Sequence, residues 1–377
     1  MLRRDLGRSG IQVSAMGLGG WAVGGPFWKN GQPVGWGEVD DNESIRALHR
    51  ALELGISFFD TADVYGCGHS ERVIGKALKG KRESVVIATK FGQVFVEETR
   101  QAIGYDTSPA HIRQACDASL HRLDIETIDL YQLHVKDVSP EKVPEILDVL
   151  ELLVSQGKIR YYGWSTDDPA RARLFAAGSH CTSIQHRLNV LESDAPALEV
   201  CEEFNLASIN RSPLAMGMLT GKYTQDSVIS ANDVRSRRPI FQENRVENLQ
   251  KLENIHSLLT QDGRTLAQGA LGWLWARSEK TIPIPGFKTV QQVEENIQAM
   301  QFGPLAEEQM KKIILFWTKS CIKFLVLLLS KVIGLTRFLE LSAEASESEF
   351  VTYHRSPKLS TAVGTESDLV RISLAEI

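Results

Sequence analysis

The chain has 377 residues, 43% of them hydrophobic and 24% charged, with a formal net charge of −5. That length suits one large α/β barrel with an appendage, and the absence of a basic stripe in the first three hundred residues argues against nucleic acid as a partner. Five scattered cysteines with no CxxC pair point to reduced thiols and away from a zinc site.

The opening MLRRDLGRSGIQVS lacks an apolar core of signal-peptide length, so a cytoplasmic protein is expected. SAMGLGG (14–20) is the first strand-like run. The overlapping GLGGWAVGG lacks the GxGxxG spacing, and its helix is delayed to Asn42, so it reads as a flexible or close-approach loop. ISFF (56–59) precedes a helical SERVIGKALKG, and SVVIAT (84–89) precedes a loop and a helix from Ser108. IDLYQL (128–133) leads to a helix from Ser139, and IRYYGW (159–164) to one from Asp168. TSIQ (182–185) leads to a helix near Pro196, and LASIN (206–210) to a long connection. A helical pair over roughly 244–261 and 265–278 follows, then TIPIP (281–285) and a last helix over QQVEENIQAM. The strand-like runs are short, apolar on both faces and rich in branched residues, as buried parallel strands are.

Three helix starts share one form. Ser108-Pro109, Ser139-Pro140 and Asp168-Pro169 each place a capping oxygen before a proline at the first helical position. They lie 31 and 29 residues apart, the length of one strand, one helix and two loops. Eight such units close into a (β/α)8 barrel, the expected fold; an open doubly wound sheet is the alternative. The barrel is expected over 1–311. A divergent tail then begins IILFWTKSCIKFLVLLLSKVIGL from Ile313, read as a helix over about 312–340 followed by disorder. Its longest uninterrupted apolar run, Phe324 to Leu329, is far below the roughly twenty residues of a membrane span. A helix packed on the barrel is expected, with a basic amphipathic helix at a membrane surface as the alternative.

Reactive groups in such barrels sit at the C-terminal ends of the strands. Asp60 and Tyr65 follow the second strand, Lys90 the third and His134 the fourth. Ser165 and Thr166, Gln185, Arg211 and Ser212, and Gly286 and Lys288 follow the later ones. Asp, Tyr, Lys and His form an acid–base set. A lysine cation lowers the pKa of a neighbouring phenol, an aspartate holds the lysine charged, and a histidine donates to a carbonyl oxygen. Such a set protonates a carbonyl oxygen while a cofactor delivers hydride to its carbon. Taken singly, each residue has a structural reading, from barrel-end ion pair to core histidine. Asp63 has no independent chemical role and is read as capping its own turn.

With these motifs the sequence resembles the aldo-keto reductase superfamily, in particular its bacterial and potassium-channel-β-like branch. GLGGWAVGG, FFDTADVYG, VVIATKFG, IDLYQLHV, YYGWST, SPLAMGMLTGKY and IPIPGFKTVQQVEEN occur in family order over about residues 3–300. The resemblance implies a barrel that binds NADP(H) and reduces a small carbonyl compound. It makes Tyr65 the general acid, Asp60 and Lys90 its tuning pair, and His134 the carbonyl-orienting donor. It makes Gly20 and Trp21 cofactor-binding residues and has Ser165 and Gln185 grip the nicotinamide amide. Ser212, Pro213, Leu214, Gly217 and Lys222 fall along the pyrophosphate, and Gly286, Lys288, Gln292, Glu295 and Asn296 at the adenosine end. Trp21, Phe27 and Trp28 are candidate pocket walls. RRDLGRSGIQVS is similar to the family's N-terminal hairpin at the barrel bottom. Two positions depart from the pattern: Thr166 stands for an asparagine, and Leu188 for an aromatic that stacks on the nicotinamide. An NADP(H)-sensing regulatory subunit that docks through the tail is the competing function, and a cofactor-independent isomerase a third. The residues do not specify an oligomeric state.

Overall fold

The computed structural model describes residues 1–318. Eight parallel strands form the central sheet: β3 (Leu18–Gly19), β6 (Phe58–Asp60), β7 (Val86–Phe91), β10 (Ile128–Leu133), β11 (Ile159–Ser165), β12 (Cys181–Arg187), β13 (Ala207–Arg211) and β14 (Thr281–Pro283), paired in that order. The two ends meet. The Gly17 and Gly19 N–H groups donate to the carbonyls of Pro283 and Pro285, at 3.0 Å each, and Gly19 bridges Gly286. The barrel is closed, as the alternation of the sequence predicts. Inside it, Phe58, Val86, Ala88, Leu130, Ile209 and Ile282 form a dry plug. Strand residues of opposite parity pack on the surrounding helices. The hairpin β1 (Arg3–Asp5) and β2 (Gln12–Ser14) adds Leu6 and Val13 to the plug.

Helix boundaries follow their caps. Asp40 accepts from the N–H groups of Asn42 and Glu43 to start α1 (Asp41–Glu53). The helix α2 (His69–Leu78) follows the loop after β6, and α3 (Pro109–Leu123) is capped by Ser108. The expected cap at Ser139 does not form. Pro140–Lys142 make a 3₁₀ turn, the Ser139 hydroxyl donates to Glu141 at 2.5 Å, and α4 begins only at Val143 and runs to Ser155. Glu141 lies two residues on and competes for the hydroxyl, so the backbone loses its cap. Asp168 caps α5 (Pro169–Ala176), and Pro196 opens α6 (Pro196–Glu203). After β13 come α7 (Arg245–Leu259) and α8 (Leu266–Arg277), the latter with a Thr265–Gln268 capping box. The barrel ends with α9 (Val290–Phe302) and a further helix over 307–318.

A second sheet, unforeseen in the sequence, lies at the strand C-termini. It joins β4 (Trp28–Lys29) and β5 (Gln32–Pro33), in the first loop, to β8 (Gln93–Val96) and β9 (Gln101–Tyr105), in the third. Trp28 and Lys29 pair in parallel with Gln101 and Ala102. Met1–Trp317 forms one compact unit. The expectations for the tail beyond 318, including its role as a docking element, lie outside the described residues. No helix among the described residues is long and apolar enough to cross a membrane.

Candidate active site

Parallel register brings the acid–base set together. Asp60 ends β6, Lys90 lies on β7, and Lys90 pairs with Gln132 on β10. Asp60 and Lys90 are buried. The Lys90 ammonium donates to Asp60 Oδ1 at 2.6 Å, to the Thr61 carbonyl at 2.7 Å and to the Tyr65 hydroxyl at 3.3 Å. Asp60 Oδ2 accepts from Gln132 Nε2 at 3.0 Å and Gln185 Nε2 at 2.8 Å. One carboxylate thus ties four strands, β6, β7, β10 and β12. Burial works against the Lys90 charge, but Asp60 and the Tyr65 oxygen outweigh it and raise its pKa.

Tyr65 is reached through a tight loop. Gly66 has φ +62°, and a Cβ on it would lie 1.9 Å from the Gly24 carbonyl oxygen. A Cβ on Gly24 would in turn lie 2.6 Å from the Tyr65 carbonyl carbon. The glycine-rich loop therefore makes a close backbone approach. Trp21 stacks on Tyr65 at 6.0 Å between ring centroids, and Trp36 meets Trp21 edge-on at 5.4 Å. The expected fall in the Tyr65 pKa is not seen. Burial raises it, and although Lys90 pulls the other way, the net shift is upward. Tyr65 is held as a neutral phenol. His134 lies edge-on to it at 5.8 Å. Burial, then Lys90, Arg211, Lys136 and Lys29, push the imidazole well below its ordinary range, so it is neutral. Its Nδ1 is buried and has no partner among the described residues.

Asp63 keeps its turn. Its Oδ1 accepts from the Val64 N–H at 2.6 Å, and its carbonyl from the Gly68 N–H at 2.7 Å. The carboxyl is also fully buried, and burial and the nearby Glu71 raise its pKa well above the usual range.

Gln185 spends its amide nitrogen on Asp60 and Gln132, which leaves its oxygen for a ligand amide. Ser165 is beside it in the ladder. The Thr166 hydroxyl accepts from the Asp168 N–H at 3.1 Å and so serves the turn before α5. Leu188 is fully buried in the core. Gly20 donates to the Asp60 carbonyl at 2.7 Å, and its own carbonyl accepts from Ser70 Oγ at 2.8 Å. Of the proposed pocket walls, Phe27 is instead buried with Ala62, Val64, Cys67 and Ala102, where it packs the mouth loops together. Trp28 is half-buried on β4.

After β13 the backbone takes left-handed φ at Ser212 (54°), Ala215 (47°), Met216 (55°) and Gly217 (99°). Such runs are costly for residues with a Cβ and collect at ligand sites. Pro213 and Leu214 are buried within this turn, and Asn189 Nδ2 holds the Ser212 carbonyl at 3.2 Å. Beyond it stand three cations: Lys222, Lys288 and Arg235, the last of which the sequence reading missed. Arg235 pairs with Asp233 at 2.6 Å and lies 4.7 Å over the Trp36 ring. Lys288 Nζ donates to the carbonyls of Trp36 (2.7 Å) and Glu38 (3.1 Å), and its N–H to Gln292 Oε1 at 2.8 Å. Burial lowers the pKa of Lys222, Arg235 and Lys288 lower it further, and Asp233 and Glu295 work the other way. Three cations gathered at one place fit phosphate groups. Glu295 engages Gln268 through its carbonyl, and Asn296 is buried on α9. Gln132 was also missed, although a polar side chain two residues before His134 in a buried strand shares its parity and must point the same way.

The chain is similar to known proteins. The model of the "Aldo/keto reductase family" matches residues 15–316. "Aldo-keto reductase yakc [NADP(+)]" of Schizosaccharomyces pombe is 32% identical over 274 residues, which is 71% of this chain and 80% of that protein. The glycerol dehydrogenase AKR11B4 from Gluconobacter oxydans superposes with a TM-score of 0.74 at 31% identity, over 84% of this chain and 95% of that one. An aldo-keto reductase from Klebsiella pneumoniae, solved in complex with NADPH, gives a TM-score of 0.60 at 25% identity, over 83% and 94%.

Proposed function

The chain belongs to the aldo/keto reductase family, and from that membership we propose that it reduces a small aldehyde or ketone to an alcohol with Tyr65 as the proton donor. It is an NADP-dependent oxidoreductase. The observation that carries the finer reading is the bonded series Asp60–Lys90–Tyr65 beside a neutral His134.

Tyr65 holds its proton until a basic oxygen develops next to it. His134, uncharged, has one N–H to give to the carbonyl oxygen and fixes its position. Tyr65 then transfers its proton to that oxygen, and the phenolate left behind is stabilised by the Lys90 ammonium. Asp60 keeps Lys90 charged in a buried place and, through Gln132 and Gln185, keeps it aimed. When bound, the nicotinamide cofactor supplies the hydride. Lys222, Arg235 and Lys288 are the residues that would hold its phosphates, and Ser165 and the Gln185 oxygen its amide.

The test is NADPH oxidation with a panel of small aldehydes. Tyr65→Phe should lower turnover by about 10²- to 10⁴-fold while binding NADPH normally in a fluorescence titration. Wild-type turnover by Tyr65→Phe would remove Tyr65 as the donor.

A further inference from the structure

Another buried ion pair stands behind the proton-transfer set. Arg122, near the end of α3, has a side chain only 7% exposed, and Glu71, in the first turn of α2, has one that is fully buried. Each guanidinium nitrogen has its own partner. Nε donates to Glu71 Oε2 at 2.6 Å, Nη1 to Glu97 Oε1 at 3.1 Å and Nη2 to Ser119 Oγ at 3.4 Å. Glu97 lies in the turn between β8 and β9, and its other oxygen accepts from Arg72 of α2. One arginine therefore fastens α2 and the mouth hairpin to α3.

Three contacts lead from this knot to the proton donor. Glu71 Oε1 accepts from the Thr89 hydroxyl at 2.5 Å, and Thr89 immediately precedes Lys90 on β7. Gly68, at φ +90°, is pressed against the knot: a Cβ on it would lie 2.7 Å from Arg122 Cδ and 3.2 Å from Glu97 Oε1. Gly68 closes the loop that carries Tyr65. Its N–H donates to the Asp63 carbonyl at 2.7 Å, and the Asp63 N–H donates to the Lys90 carbonyl at 3.3 Å. The guanidinium also lies 5.7 Å from the centre of the Phe95 ring, and Phe95 and Tyr65 both pack on the cluster around Phe27.

A buried ion pair adds little net stability over apolar residues of the same volume, but its fixed donors select one geometry. The geometry selected here is that of the 63–68 loop, bonded to Lys90 at one end and pressed on Arg122 at the other. We propose that Arg122 is a positioning residue for Tyr65: it holds this loop so that the phenol reaches Lys90, and through Glu97 it ties that reach to the seating of the β8–β9 hairpin. Arg122 acts through the loop and not on the reacting atoms. This inference rests on the carbonyl-reductase reading above.

The experiment measures kcat, KM for a small aldehyde, NADPH affinity by fluorescence titration, and hydrogen–deuterium exchange in wild type, Arg122→Lys and Glu97→Gln. Lysine keeps a charge beside buried Glu71, so the chain still folds, but its single nitrogen cannot hold Glu71 and Glu97 as the fork does. Glu97→Gln leaves the buried pair intact and loosens only the hairpin. Arg122→Lys should lower kcat about tenfold and Glu97→Gln about threefold, with KM and NADPH affinity within about twofold of wild type, because misplacing a proton donor slows chemistry and spares binding. Exchange should quicken at residues 61–68 in both variants. A merely structural arginine would instead leave turnover per NADPH-binding site at the wild-type value. Wild-type kcat in both variants overturns the proposal and leaves the reductase reading standing. So does a fall in kcat with exchange at 61–68 unchanged. If the wild type reduces no carbonyl compound, the reductase reading fails and exchange alone decides: quickened exchange at 61–68 in Arg122→Lys supports the proposal, and unchanged exchange overturns it.

Discussion

Asp60→Asn tests whether the charge at the barrel's upper end is held as a coupled pair. The side chains of Lys90 and Asp60 are 0% and 2% exposed, so water cannot solvate either when the other is lost. Asparagine keeps the shape, and Gln132 and Gln185 can turn their amides to match it. The loss therefore falls on Lys90, left charged with only the Thr61 carbonyl and the Tyr65 hydroxyl. Breaking a buried pair by removing one partner costs about 3–5 kcal/mol. Adding Lys90→Met removes the orphaned charge, so the double variant should exceed Asp60→Asn by about 2 kcal/mol or more, although both lose turnover. The assay is urea unfolding of wild type, both single variants and the double, compared at constant m. A double variant whose loss equals the sum of the two single losses would refute the coupling, because additivity marks groups that do not interact.

Two other outcomes follow from the same geometry. Gly66→Ala meets a left-handed φ worth about 1–2 kcal/mol and a clash with Gly24 in addition. It should lower the unfolding midpoint and, by displacing Tyr65, lower kcat more than it raises KM; a variant with wild-type kcat and midpoint contradicts the close approach. Burial lowers the His186 pKa to about 4. Its unfolded value is about 6.5, so the unfolded chain binds the extra proton first and stability falls as pH drops from 6.5 towards 4. The contribution reaches about 2 kcal/mol by pH 5. His186→Gln should flatten the stability profile over that window, and an unchanged slope would disprove the assignment.

The barrel was legible because its βα units carry their own punctuation: an apolar run and, in many of them, a capping residue or a proline. The convergence of Asp60, Tyr65, Lys90 and His134 was legible because strand ends meet in a closed barrel whatever their distance in sequence. What escaped was non-local or a matter of depth. The mouth sheet pairs two-residue strands in the first loop with a hairpin some seventy residues later, and no local period announces that. The Tyr65 shift had the wrong sign because the sequence names its neighbour Lys90 but not how far water is excluded from the ring. Ser139 was misplaced by a competitor two residues away, Glu141.

The parallel pairing of Trp28–Lys29 with Gln101–Ala102 makes the first and third mouth loops one piece of backbone. A graft that exchanges either loop alone leaves the other with unmated amides, and exchange of the third loop also takes Ala102 away from Phe27. Loops that look independent in the alphabet of the chain must therefore be swapped as a matched set, or the new rim will not close.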